Sequence, residues 1–224
     1  MKKAISLLLA LIFVLTLTAC GAQPDSPAPE ADPLAPADTP EPSNDVSPAE
    51  GNTIEDTDSE TGKILIAYFS ATNNTENIAN LLHTILDASL YEIIPETPYT
   101  DADLDYNTDC RANQEQNDDS ARPAISGSVE DMGQYDVIFL GYPIWWGQAP
   151  KIISTFLESY DLSGKTIVPF CTSGSSGIGS SATNLHSLAS SATWMDGQRF
   201  GGGASRSTVE AWVNGLGLTL TPAA

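Results

Sequence analysis

Three short segments of this chain concentrate the residues able to do chemistry, and none is built around a titratable group. Ser70-Ala71-Thr72-Asn73-Asn74-Thr75 brings three hydroxyls and two amides into six residues. Set where a helix begins, such groups join the unpaired backbone N–H groups in a cradle for an anion, with phosphate the natural guest. No Lys or Arg falls between Ile64 and Leu86, so hydroxyls and backbone must hold that phosphate alone. The segment is neither a Walker loop, which needs Gly-Lys-Ser/Thr, nor a G-x-G-x-x-G turn. Gly141-Tyr142-Pro143-Ile144-Trp145-Trp146-Gly147-Gln148-Ala149-Pro150 sets two Trp side by side. Both rings cannot point into a core, so at least one stands at the surface or over a ligand. Thr172-Ser173-Gly174-Ser175-Ser176-Gly177-Ile178-Gly179 has three glycines and four hydroxyls, which suits a backbone that approaches the edge of a planar ring and bonds its polar rim.

Other chemistries fit less well. A nucleophile elbow needs G-x-S-x-G, and Gly174-Ser175-Ser176-Gly177 is one residue short, although His186 follows nearby. His83 and His186 have no Cys or carboxylate at ligand spacing, which argues against a metal. Export would permit a disulfide between Cys110 and Cys171, but two cysteines without a framework are expected as free thiols, Cys171 packing as a small apolar residue.

The elements that must position the three segments alternate. Ile64–Phe69 is a nearly unbroken apolar run, the pattern of a strand buried on both faces, and from Glu76 apolar residues recur at helical spacing. Further strands are predicted at Leu90–Ile94, Gln134–Gly141 and Lys165–Thr172, with a weaker fifth within Thr193–Phe200. Helices are predicted at Pro150–Tyr160, Ser180–Ala189 and Ser207–Leu216, the last capped by Ser207 or Thr208 and stopped by Gly215 or Gly217. Pro95–Tyr135 reads as a long acidic crossover near the site, in which Leu104–Gln116 suits a helix carrying Tyr106 and Arg111 outward. The sum is an α/β fold: a doubly wound five-stranded parallel sheet with helices on both faces. Ligands of such sheets bind beyond the carboxyl ends of the strands, where the three segments fall, after the first, third and fourth strands.

Ser70 to Thr75 resembles the phosphate loop of the flavodoxin family, with Asn73 where that family has Gly. Asn tolerates the left-handed backbone such a position demands. The Pro143-Ile144-Trp145-Trp146-Gly147 run likewise resembles the family's isoalloxazine loop, and the resemblance covers nearly all of residues 61–218. It implies non-covalent FMN. Carried over by position, Ser70, Thr72, Asn73, Asn74 and Thr75 hold the phosphate. Pro143, Ile144, Trp145, Trp146 and Gly147 line one side of the ring, and Thr172, Ser173, Gly174, Ser175 and Gly177 the other.

Residues 1–20 have a basic start, an apolar run and Leu17-Thr18-Ala19-Cys20-Gly21, which looks like a bacterial lipobox with Cys20 as the lipidated residue. The expectation is an exported protein anchored by lipid to the outer face of the bacterial cytoplasmic membrane. Residues 21–60 hold 8 of the 15 prolines and 11 of the 29 acidic residues without one Lys or Arg, the composition of a disordered tether. The folded part, residues 61–224, then carries 18 acidic against 7 basic residues, a net charge of −11 that excludes nucleic acid as a natural partner.

The functional expectation is an FMN-binding electron-transfer protein serving a redox partner protein or a small-molecule acceptor. Its acidic domain and cation-free phosphate loop predict a low potential for the fully reduced state. Two alternatives stay open: an NAD(P)H-dependent FMN oxidoreductase of the quinone or nitro-compound type, and a binding module that keeps the fold without the cofactor.

Overall fold

The computed structural model describes residues 62–218. The expected signal peptide, the lipidated Cys20 and the tether over 21–60 lie outside the described residues. Chain order runs β1 (Lys63–Tyr68), α1 (Asn74–Leu86), β2 (Ser89–Glu92), β3 (Ile94–Pro95), α2 (Arg111–Asn117), β4 (Ile125–Ser126), β5 (Tyr135–Pro143), α3 (Lys151–Glu158), β6 (Thr166–Thr172), β7 (Thr193–Trp194), β8 (Gln198–Phe200) and α4 (Arg206–Gly215).

The main sheet has the order β2-β1-β5-β6, with β7 and β8 both on the far side of β6, and every pairing in it is parallel. Alternate residues of the central strands pack on opposite faces. Leu65, Ala67, Ile138, Leu140 and Ile167 meet α3 and the 3-10 segment Thr183–Ala189 on one face. Ile66, Tyr68, Val137, Phe139, Val168 and Phe170 meet α1 and α4 on the other. Burial on both faces explains why these strands read as continuous apolar runs. The order reverses between β1 and β5, the switch point where a crevice opens at the carboxyl edge.

The fifth strand position is occupied in two pieces. β7 pairs with Thr166 and Ile167, β8 with Phe170 to Thr172, and the gap falls opposite Val168 and Pro169. Pro169 has no N–H to give a neighbouring strand. The weak strand expected over 193–200 is therefore two short ones.

Four other expectations need correction. The second strand stops at Glu92, and Ile94–Pro95 pairs antiparallel with Ile125–Ser126 in a separate ribbon. The Leu104–Gln116 helix is only Arg111–Asn117: Asp105 accepts from the backbone of Asn107 (3.1 Å) and Thr108 (3.0 Å) in a competing turn, and Cys110 caps the helix instead. Tyr106 thus sits outside any helix, 73% exposed. The Ser180–Ala189 helix is a 3-10 segment over Thr183–Ala189, and the last helix is capped by Ser205, whose Oγ accepts from Thr208 N at 3.3 Å.

Gly141 of β5 is where two strands crowd. A Cβ there would come within 2.2 Å of Phe170 Cζ on β6, and that ring is fully buried. Gly141→Ala is expected to cost about 1–3 kcal/mol of stability, read as a lower denaturation midpoint with an unchanged slope.

Candidate functional site

The loop after β1 is tied to the rest of the carboxyl edge before any ligand is considered. Thr75, in the first turn of α1, is buried and shares a 2.7 Å hydrogen bond with Thr172 at the end of β6. Asn73 holds φ at 60°, in the left-handed region, and its carbonyl accepts from Asn77 N at 3.0 Å to start the helix. Asn74 Nδ2 donates to Thr72 Oγ1 at 3.0 Å. Ser70 Oγ is buried without a hydrogen-bond partner among the described residues. A buried hydroxyl left alone is costly, so a loop that keeps one is suited to an acceptor from outside the chain.

The loop after β5 is a tight hairpin. Trp145 and Gln148 exchange backbone hydrogen bonds of 2.9 Å in both directions, with Trp146 (φ 47°) and Gly147 (φ 79°) between them. Two successive positive φ values make a type I′ turn, which favours Asn-Gly. A Trp in that first position is strained, and such strain is kept at sites that need it. The two rings separate accordingly: Trp145 packs edge-on against Phe69 (5.5 Å) and Tyr99 (5.2 Å), while Trp146 is 47% exposed.

The acidic crossover braces this hairpin. Gln116 Nε2 on α2 donates to the carbonyls of Trp145 (3.1 Å) and Ala149 (3.3 Å). Tyr99 donates to Glu115, which also pairs with Arg111 Nε at 2.7 Å, and the Arg111 guanidinium lies 4.2 Å from the Tyr99 ring centroid. Burial, reinforced by the Glu115 contact, pushes the Tyr99 phenol far up, so it stays a neutral donor.

In the loop after β6, Ile144 N donates to Thr172 O at 2.9 Å and Ser173 N to Phe200 O at 3.2 Å. Arg199 of β8 reaches over it. Its Nε bonds Ser173 Oγ (3.1 Å) and its Nη2 bonds the carbonyls of Ser173 (2.6 Å) and Gly174 (2.8 Å). Cys171 beneath is a buried free thiol, pushed up to about 12 by burial with Arg199 opposing, and Cys110 is also free and buried. At the β1 side the charges are acidic: burial pushes the Tyr68 phenol up to about 12, with Glu92 and Glu76 adding to the rise.

Two adjoining cavities result. One of about 280 Å³ lies between the loops and is lined by Thr72, Asn74, Pro143, Ile144, Trp145, Thr172, Ser173, Gly174 and Gly202. The other, about 410 Å³ and largely apolar, shares Thr72, Pro143, Ile144 and Trp145 and adds Ala71, Leu104, Tyr106, Ala112 and Trp146. Of the expected residues, Ser70, Asn73, Thr75, Gly147, Ser175 and Gly177 line neither cavity. Ser70, Asn73 and Thr75 shape the first loop, Gly147 completes the turn, and Ser175 and Gly177 lie farther along the third loop. Sequence reasoning did not name Ala71, Leu104, Tyr106, Ala112, Gln116, Arg199 or Gly202 as site residues. The Gly201-Gly202-Gly203 run after the last strand was a legible sign of another loop at this edge, and a Cβ on Gly202 would sit 1.9 Å from Asn74 Oδ1. Leu104, Tyr106, Ala112 and Gln116 fall in the crossover that the sequence places near the site, Ala71 lies inside the first loop, and Arg199 carries no such sign.

The sequence model of the flavodoxin family matches residues 63–216. A presumed flavoprotein from Bacteroides eggerthii DSM 20697 is 46% identical, with 69% of this chain and 98% of that chain covered at a TM-score of 0.66. One from Bacteroides uniformis ATCC 8492 is 43% identical, with 69% and 99% covered and a TM-score of 0.66. A flavoprotein from Lactobacillus acidophilus NCFM, crystallised in complex with FMN, is 25% identical, with 68% and 99% covered and a TM-score of 0.53. No curated protein matches this chain.

The left-handed Asn73 makes a sharp expectation. Its side chain makes no capping bond, so Asn73→Gly is expected to keep or raise stability, while Asn73→Ala costs about 1 kcal/mol through the backbone alone. Chemical denaturation of the two variants checks the difference.

Proposed function

This chain belongs to the flavodoxin family, and we propose that it binds FMN non-covalently at the carboxyl edge of its sheet and passes electrons between partners. The observation that carries the reading is Ser70: a buried, unpartnered hydroxyl opens a phosphate-type loop whose turn is made by a left-handed Asn73. FMN, when bound, supplies one- and two-electron transfer. The chain's own residues do the rest. The Ser70, Thr72 and Asn74 side chains and the N–H groups at the start of α1 would hold the phosphate, in keeping with a helix N-terminus. Ile144, Trp145 and Trp146 would line one side of the ring and Ser173 and Gly174 the other, keeping water from it. The L. acidophilus relative, crystallised in complex with FMN, supports FMN as the cofactor.

The proposal extends to location: a lipid on Cys20 and a tether over 21–60 hold the domain at the outer face of the bacterial cytoplasmic membrane, where it serves a redox partner protein or a small acceptor. Replacement of Cys20 by Ser is then expected to move the protein from the membrane to the soluble fraction on fractionation. A self-contained reductase is the second reading. It draws on the 410 Å³ cavity, whose Leu104, Tyr106 and Ala112 wall lies outside the three loops.

The purified full-length chain, incubated with FMN and freed of excess by gel filtration, is expected to keep flavin absorption bands and quench flavin fluorescence. A colourless folded protein refutes the proposal, and reduction of the bound flavin by NAD(P)H alone selects the reductase over the carrier. Trp146→Asn keeps the left-handed backbone while removing the exposed ring. It is expected to weaken FMN binding about tenfold, the worth of a stacked aromatic pair of about 1.4 kcal/mol, in a fluorescence titration.

A further inference from the structure

Seven Lys and Arg residues fall in the described segment, and most are spoken for. Arg111, Arg122, Lys151 and Arg206 pair with Glu115, Glu158, Asp119 and Glu210. Lys63 and Lys165 sit at the amino ends of β1 and β6, opposite the loop cluster, where they bond Gln134 Oε1 (3.4 Å) and Tyr135 O (2.5 Å). Arg199 alone stands at the carboxyl edge without a carboxylate partner among the described residues. The bonds of its guanidinium all go to the third loop, at Ser173 and Gly174, and both of these line the 280 Å³ cavity.

We infer that Arg199 is the positioning residue of the third loop and that its guanidinium, without a carboxylate partner among the described residues, sets a positive charge behind the Ser173–Gly174 wall of the site. The inference rests on the FMN reading above. A guanidinium is a rigid fork, and here it gathers two successive carbonyls and one hydroxyl, fixing a Gly/Ser segment that has little side-chain packing of its own. It is held in place from below, because Arg199 pairs with Cys171 in the β6–β8 register and the neighbouring Phe200 is buried. The loop and its cation therefore move together. Reduction adds negative charge to the ring, and a fixed positive charge nearby favours that state over the oxidised one. Arg199 thus opposes the acidic surroundings contributed by Glu76, Glu92 and the net charge of the domain.

The test uses the full-length chain and the variants Arg199→Gln and Arg199→Lys. Without FMN, amide hydrogen exchange over residues 173–177 is expected to quicken at least tenfold in Arg199→Gln, and wild-type exchange there overturns the positioning role. With FMN, the same variant is expected to bind about tenfold more weakly in the oxidised state and a further tenfold more weakly in the reduced state. That last factor is a midpoint shift of about −30 mV for a two-electron couple. Arg199→Lys keeps the charge without the fork, so it is expected to restore the potential but not the exchange protection. A wild-type potential in Arg199→Gln overturns the electrostatic half. Should Arg199→Gln unfold, Arg199→Lys decides alone: quickened exchange supports the inference and wild-type exchange overturns it. A wild-type chain that retains no FMN sinks the cofactor reading, while the exchange measurement still decides the loop.

Discussion

The hydrogen bond between Thr75 and Thr172 is the constraint on which the rest of the loop cluster depends. It joins the first turn of α1 to the last residue of β6, two strands away. Both residues are almost wholly buried, so either hydroxyl would be costly without the other. The pairing fixes how far the first loop stands from the third, and hence the width of the crevice between them. The β5 loop is fastened to the same point, since Ile144 N bonds the Thr172 carbonyl. Thr75 is then part of the frame that sets the crevice, while Thr72 and Asn74 line it.

The hairpin after β5 shows the reverse economy, a strained element maintained by its neighbours. A Trp at φ 47° resists its own backbone preference. What holds it is tertiary: Gln116 anchors the carbonyls on both sides of the turn, and Trp145 is wedged against Phe69 and Tyr99. Tyr99 is in turn held by Glu115 and Arg111 of the crossover helix. The acidic crossover is thereby the brace that keeps an aromatic ring exposed at the mouth of a cavity.

Charge is distributed with similar economy. A net charge of −11 over residues 61–224 makes the whole domain inhospitable to further negative charge. Its cations are mostly consumed in pairs on the surface, which contribute little at the site. Arg199 differs in position more than in kind. A cation bonded to loop carbonyls in a partly buried place is screened less than one in solvent, and it acts where the bulk charge acts in the opposite sense.

The amino-acid sequence alone determined the parallel α/β architecture and the three loops. Strands buried on both faces must be apolar throughout, and loops at the carboxyl edge must be rich in Gly, Ser, Thr and Asn. Those demands are local, so Ile64–Phe69, Ser70–Thr75 and the Trp145-Trp146-Gly147 run could be read from neighbours in the chain. The left-handed Asn73 was legible only through the resemblance to the flavodoxin loop, which has Gly at that position. Only the tertiary structure decided the broken fifth strand, the short α2, and the parts played by Gln116, Arg199, Tyr106 and Leu104. Each of these depends on a partner far away in sequence. A cation on a weak edge strand looks like any surface arginine until the β6–β8 register brings it over the Ser173 and Gly174 carbonyls. Periodicity reports which face of an element is buried. It carries no information about which loop a side chain will meet once the sheet has closed the distance.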